Sequence, residues 1–423
     1  MVLDTLSALA SRFSSRTTPL QPTTEILVAR DNATLARQLT LARIPSPTGF
    51  EHRRAAVVQQ LFSELGWQTR ISDIGNVIAR RNATATKAKG ESAAETAPVV
   101  CMAHLDSVFP ESTPLEPSLE GTRYTCPGIG DNCRGLTSLI ALAEILGASH
   151  THSTLHTRRP IEFVATVGEE GLGNLRGAQH YFVEREATTA ARAHAVIVID
   201  GPGDSTIVHH GLGSRRFHIS FRGKGGHSWA DFGVPNAVHA AARATAWLAE
   251  LPRTLNQRVA LTVSRIGGGE SINAIPTGAW LDVDVRCTDE SMLQRVEDEL
   301  RNIVLAAARA ELPVPHGIEL KSPNALITNV QLTGARPTGS LPLEHPLVRS
   351  AQFATRLQGI EPVSAVASTD ANIPLSLGIP AITIGGGGTG GGAHTLHEWY
   401  DNTNAPRGLA RALAIVLAAA EQF

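Results

Sequence analysis

The chain contains no apolar run of about 18 residues or more, the length a helix needs to cross a bilayer, so no membrane span is expected. Cysteine is scarce. Only Cys101, Cys126, Cys133 and Cys287 occur in 423 residues, too few for a disulfide scaffold. An excess of one charge is also missing. Lys plus Arg is 37 and Asp plus Glu is 39, a net charge of -2. That removes the electrostatic footprint of a nucleic-acid or anionic-membrane binder and leaves small molecules as the expected partners. The opening stretch "MVLDTLSALASRF" lacks a basic n-region and a long apolar h-region, so a cytoplasmic location is expected.

What is present fits a globular protein of two or three domains. Four short apolar runs each stop at a group that could bind a cation. "PVVCMAHLD" ends at His104 and Asp106, "IEFVATVGEE" at Glu169 and Glu170, and "AVIVID" at Asp200. "PAITIG" leads through a glycine tract to His394. Near-continuous Val, Ile and Ala suit strands buried on both faces, as in a mostly parallel sheet flanked by helices. "RGLTSLIALAEILG" and "HRRAAVVQQLFSELGW" carry helical apolar stripes between them. In open α/β sheets a site lies beyond the carboxyl ends of the strands.

From about Gly213 the pattern changes to strand, helix, strand, strand, helix, strand. This predicts an α+β insert at 213–332 inside a first domain built from 1–212 and 333–423. "AWLDVDVRC" alternates strictly, which turns Asp282 and Asp284 to water. The small polar stretch 82–97 reads as a surface loop. "GGGGTGGG" (385–392) reads as a flexible or φ-permissive loop.

Adjacent carboxylates at a strand end repel one another unless positive charge lies nearby. His104, Asp131, Glu170, Asp200 and His394 supply the donors that metal ions use, and five suffice for two ions if one carboxylate bridges. Two imidazoles and three carboxylates suit zinc, with manganese or cobalt as substitutes. Glu169 is then spare, and a carboxylate beside two metals can move a proton from water. Other readings stand beside this one. Asp131, in the turn "PGIGDNCRG", could instead cap the helix that follows. His209 and His210 could lie near the site or belong to an ordinary loop. Cys126 and Cys133 could be soft ligands or a redox pair, with packing the simpler role.

The motifs "HLD" (104–106), "GIGDNCRG" (128–135), "GEEGLG" (168–173), "VIDG" (198–201) and "GGAHTLHEW" (391–399) resemble, in order, the metal-site motifs of the M20 family of co-catalytic zinc metallopeptidases and amidohydrolases. The resemblance implies a zinc-exopeptidase-like catalytic domain and an inserted lid and dimerisation domain. It implies that His104 and Asp200 bind one zinc, that Glu170 and His394 bind the other, and that Asp131 bridges them. The Asp131–Asn132 peptide is often cis in the family. Asp106 would orient the His104 ring, and Glu169 would be the general base. His394, four residues before Glu398, matches the ligand position, with His397 as the fallback. In the insert, "GKGGHS" resembles the motif whose His, here His227, stabilises the oxyanion, often in the partner subunit. Asn273 and Arg286 resemble residues that hold the substrate's carbonyl or carboxylate. "STDAN" (368–372) and the glycine tract resemble substrate-side loops.

The expected reaction is metal-assisted hydrolysis of an amide in a homodimer. "IPSPTGFE" (44–51) and "STDAN" look like the peptidase T branch, so a di- or tripeptide is the first expectation. An N-acyl or N-carbamoyl amino acid is the alternative substrate. A binding protein on the same fold would be expected to lose a ligand or the base, whereas every one of these residue types is present.

Overall fold

The computed structural model describes residues 25–81, 97–147, 157–188, 192–312 and 325–422. The N-terminal stretch and the expected loop at 82–97 lie outside these, apart from Ala97. The chain forms two compact units, Met1–Gly211 with Ser340–Phe423, and Leu212–Gly339. The return to the first unit falls at Gly339 rather than at 332, because the last strand of the insert continues to Arg336.

The first unit begins with helices α1 (Asp31–Ala42) and α2 (His52–Glu64) and strands β1 (Gln68–Ile71), β2 (Val77–Arg81) and β3 (Val99–His104). Strands β4 (Ser118–Glu120) and β5 (Arg123–Thr125) precede helix α3 (Cys133–Leu146). Then come β6 (Ile161–Thr166), α4 (Arg176–Thr188), β7 (Ala195–Ile199) and β8 (Thr206–Gly211). The insert contributes β9 (Gly213–Arg222), β10 (Gly226–His227), α5 (Ala237–Glu250), β11 (Ala260–Gly268), β12 (Ala274–Ile275), β13 (Gly278–Cys287), α6 (Glu290–Arg309) and β14 (Ile327–Arg336). The chain returns through β15 (Gly339–Ser340), α7 (Pro346–Leu357), β16 (Val363–Ala367), α8 (Asn372–Ser376) and β17 (Ala381–Ile384). It finishes with β18 (Thr389–Gly391), β19 (Trp399–Asp401) and α9 (Ala405–Gln422).

In the main sheet the order runs β1-β2-β6-β3-β7-β17-β8-β15, with β16 on β8. Its centre is parallel across β6, β3, β7 and β17; β2 and β8 join it antiparallel, and β16 runs parallel to β8. These central strands are wholly buried, which is why their sequences read as continuous apolar runs. One sheet face packs on α1, α2, α3 and α9 through residues such as Phe62, Leu136, Phe163 and Leu413. The other packs on α4 and α8 through Leu175, Phe182 and Ile373. His104 is level with Thr166, and Ile199 with Ile384. The polar residues that follow therefore emerge along one edge.

In the second unit, β11-β13-β9-β14 form an antiparallel sheet. Strict alternation turns Phe217, Ile219, Phe221, Leu281, Val283 and Val285 onto α5 and α6. The alternate residues form a charged face. Asp282 binds His218 at 2.7 Å, and Asp284 binds Arg286 at 2.7 Å and Arg216 at 3.2 Å. Asp282 and Asp284 thus stand off the core, as the alternation predicts, but each is neutralised by its neighbours on the sheet.

Phe163 anchors the first unit's core. Its ring stacks on Phe62 at 5.6 Å and meets Trp67 edge-on at 4.8 Å. Phe163→Ala is expected to destabilise the fold by about 3–5 kcal/mol, read from the urea midpoint. A loss below about 1 kcal/mol would show that this core collapses around the cavity at little cost.

Candidate metal centre

The site is assembled from the loops beyond the parallel strand ends. His104 closes β3 and is 2% exposed. Its Nδ1 lies 3.0 Å from the Asp106 backbone oxygen and 3.6 Å from the Asp106 carboxylate. An Nδ1–H donated to that carbonyl leaves Nε2 free to bind a cation. Nε2 lies 3.0 Å from Asp131 Oδ1 and 3.6 Å from Asp200 Oδ1.

Asp131 sits between two imidazoles. Its Oδ1 faces His104, and its Oδ2 lies 3.0 Å from His394 Nε2. The same His394 nitrogen lies 2.9 Å from Glu170 Oε1. Donor atoms within 4.8 Å of one another define the sets His104, Asp131, Asp200 and Asp131, Glu170, His394, which share Asp131. A third set joins His104 and Glu170 to Glu169. Imidazole nitrogens and carboxylate oxygens at this density fit divalent cations, and the shared carboxylate fits a pair. His397 is exposed and belongs to none of these sets, nor do His209, His210, Cys126 and Cys133. His209 Nδ1 instead meets the Leu341 carbonyl at 2.7 Å.

The charge balance appears in the proton affinities. Burial alone would lower the His104 pKa, but Asp106, Asp131 and Asp200 raise it well above the usual imidazole range. Burial would likewise raise Asp131, yet His104 and His394 hold it below the usual carboxylate range. Burial raises Glu170. The hydrogen bond that His394 donates to Asp131, with help from Glu170, lifts its pKa to about 9. The thiols are inert by comparison. Burial pushes Cys126 to about 12 and raises Cys133 as well, which suits packing rather than ligation or redox chemistry.

Asp131 does not cap α3. Asn132 does, accepting from the Gly135 N–H at 2.9 Å. The Asn132 side chain also donates to the Ile199 carbonyl at 3.0 Å, tying the turn to the end of β7. A Cβ on Gly135 would collide with both groups, so only glycine allows this approach. The Asp131–Asn132 peptide is cis.

Asp106 does more than face His104. Its carboxylate accepts from the backbone N–H groups of Glu169 and Glu170, each at 3.0 Å, and from Thr48 Oγ1 at 2.8 Å. Burial opposes ionisation, but His104 and the N–H groups of Glu169 and Glu170 keep its pKa low. Glu51 braces the same turn, accepting from Gly168 N at 3.0 Å and from Arg176 at 2.9 Å.

Sequence reasoning missed these supports. Thr48 and Glu51 act across long chain separations that carry no local signal, whereas Asn132 was legible as a cap residue just before a helix. It also missed Asp370, a buried carboxylate of "STDAN". Its Oδ2 accepts from Thr166 Oγ1, and burial raises its pKa to about 6. Its Oδ1 has no hydrogen-bond partner among the described residues. Glu398 appeared only as a marker for His394. It is 2% exposed and grips the Asp131 turn by three backbone N–H groups. Burial raises its pKa to about 7 against those bonds.

In the second unit, β10 and β12 pair His227 with Ala274, next to Asn273. His227 Nδ1 accepts from the backbone N–H groups of Trp229 at 3.2 Å and Ala230 at 3.3 Å. The neutral ring therefore carries its proton on Nε2 and presents a donor there. Asn273 Oδ1 accepts from Ser271 Oγ at 2.7 Å. Arg286 is half-exposed and paired with Asp284.

Residues 100–422 match the model of peptidase family M20/M25/M40. The cytosol non-specific dipeptidase of Escherichia coli (strain K12) is 25% identical over 290 residues, 62% of this chain. The chain spans 56% of that relative's length. Aminopeptidase PepT from Bacillus cereus ATCC 10987 superposes with a TM-score of 0.73 at 20% identity, covering 92% of this chain and 99% of the other. A tripeptidase from Staphylococcus aureus subsp. aureus Mu50 gives 0.75 at 19%, covering 92% and 98%. These two likenesses are likenesses of fold.

In metal-stripped protein the His394 ring is expected to titrate near 9, above its ordinary value of 6.5. Its protonated form then stabilises the fold fully below pH 6.5, and that contribution fades as pH rises through 9. NMR titration of the ring in the wild type and in Asp131→Asn checks this. A wild-type midpoint at 6.5 would show that Asp131 does not hold the proton there.

Proposed function

The chain belongs to peptidase family M20/M25/M40 and is a hydrolase, and on that footing we propose that it removes a terminal residue from a di- or tripeptide. The observation that carries this reading is Asp131, whose two carboxylate oxygens each meet a different histidine at 3.0 Å. His104, Asp200 and Asp131 would hold one zinc ion, and Glu170, His394 and Asp131 a second, with cobalt or manganese as substitutes. When bound, such ions polarise a carbonyl and acidify water.

The chain's own groups do the rest. The Glu169 carboxylate, clustered with His104 and Glu170, takes a proton from the water that adds to the carbonyl carbon. It returns that proton to the amine nitrogen as the C–N bond breaks. Asp106 fixes the Glu169 backbone for this task, through the N–H bond at 3.0 Å. His227, donating from Nε2, would stabilise negative charge developing on the carbonyl oxygen. Asn273 and Arg286 would hold the substrate's carbonyl or carboxylate, Arg286 by exchanging Asp284 for it. A homodimer assembled through the insert would supply His227 from the other subunit. No helix among the described residues is long and apolar enough to cross a membrane. The likeness to a cytosol dipeptidase supports the proposal of a cytoplasmic location.

Glu169→Gln is expected to keep two metal ions per chain by elemental analysis and to lose about 10²–10⁴-fold in kcat. A variant near the wild-type rate would remove Glu169 from the proton path. A chelator should abolish turnover, and added zinc, cobalt or manganese should restore it. A panel of dipeptides, tripeptides and N-acyl amino acids separates the substrates. Turnover of N-acyl or N-carbamoyl amino acids alone would replace the peptidase reading with an amidohydrolase.

A further inference from the structure

We infer that Glu398 is a positioning residue that locks the turn bearing Asp131 to the turn bearing His394, and so sets the spacing of the two-ion site. The inference rests on the reading of Asp131 and His394 as ligands. Oε1 of Glu398 accepts from the N–H groups of Gly130 and Asp131, each at 2.8 Å, and Oε2 accepts from Gly128 at 2.7 Å. Its backbone oxygen accepts from Cys126 at 3.0 Å, and its N–H donates to Thr395 at 3.2 Å. One residue thus grips the 126–131 turn from both main chain and side chain while closing the turn that holds His394.

The grip has a clear target. A bridging carboxylate must direct its two oxygens to two partners at once, so small rotations of its backbone misplace both. Fixing the Asp131 N–H fixes the plane from which its side chain departs. Without Glu398, three N–H groups in a buried turn would lose their acceptor. Glutamine cannot replace it. The amide has one acceptor oxygen, and its NH2 would oppose an N–H at the other end. A purely structural acid would support the fold and leave cation binding alone.

Cobalt titration of the full chain, followed by visible absorption, separates these roles. Unfolding of the metal-free protein is measured in parallel. Wild type is expected to take up two cobalt ions. Glu398→Gln is expected to weaken uptake by about 10–100-fold and to alter the absorption bands. Glu398→Asp, which keeps both acceptor oxygens but falls one methylene short, is expected to recover part of the affinity. Should Glu398→Gln not fold, Glu398→Asp decides the matter by the same reading. Wild-type affinity and bands in a folded variant, with or without a lower melting temperature, would overturn the inference and leave the ligand reading standing. Failure of the wild type to bind cobalt would overturn both.

Discussion

The carboxylate of Asp131 offers one oxygen to His104 and the other to His394, both at 3.0 Å, and the catalytic unit is arranged around keeping it there. Asp106, Glu169, Glu170 and Asp200 crowd the same edge of the sheet, most of them buried. Such a cluster is tolerable only with positive charge among its members. In the chain itself that charge comes from the two imidazoles, whose proton affinities are raised accordingly. A divalent pair would replace those protons with more charge in less space. The surrounding bonds serve this arrangement. Asp106 holds the backbone of the two glutamates, Glu51 and Thr48 hold that turn and Asp106, and Asn132 frees Asp131 from capping.

The parts of this that sequence revealed are those with a local physical signature. Buried parallel strands produce runs such as "AVIVID", and the residues after each run land on one edge because the strands end level. His104, Asp131, Glu170, Asp200 and His394 could therefore be gathered before any coordinates. The inner supports had no such signature. Glu398 acts on residues some 270 positions earlier, and Glu51 acts on Gly168. A carboxylate that binds backbone N–H groups looks, in sequence, like any surface glutamate. The insert was legible by its alternation, but its exit lies beyond 332 because β14 stays in the sheet until Arg336.

The second unit combines a settled face with an unsettled tip. Its open sheet face is a lattice of paired charges, with Arg265 also lying over the Trp280 ring at 5.1 Å. That face offers little unmet potential to a ligand. Around His227 and Asn273 the character changes, for Trp229, Phe232 and Ile272 are all exposed. These large apolar side chains stand in water beside a histidine whose Nδ1 is held as an acceptor.

The glycine tract is tightly packed over its first four residues. The segment 385–388 is buried, and the guanidiniums of Arg134 and Arg411, themselves wholly enclosed, take the carbonyls of Gly386 at 2.8 Å and Gly385 at 3.1 Å. A Cβ at Gly386 would press on Ser138 and one at Gly387 on the start of α9. What composition alone would class as a pliable linker is a mortar joint between β17, α3 and α9. A designer seeking a hinge or a tolerant insertion point in this protein would find neither there, although low sequence complexity invites that choice.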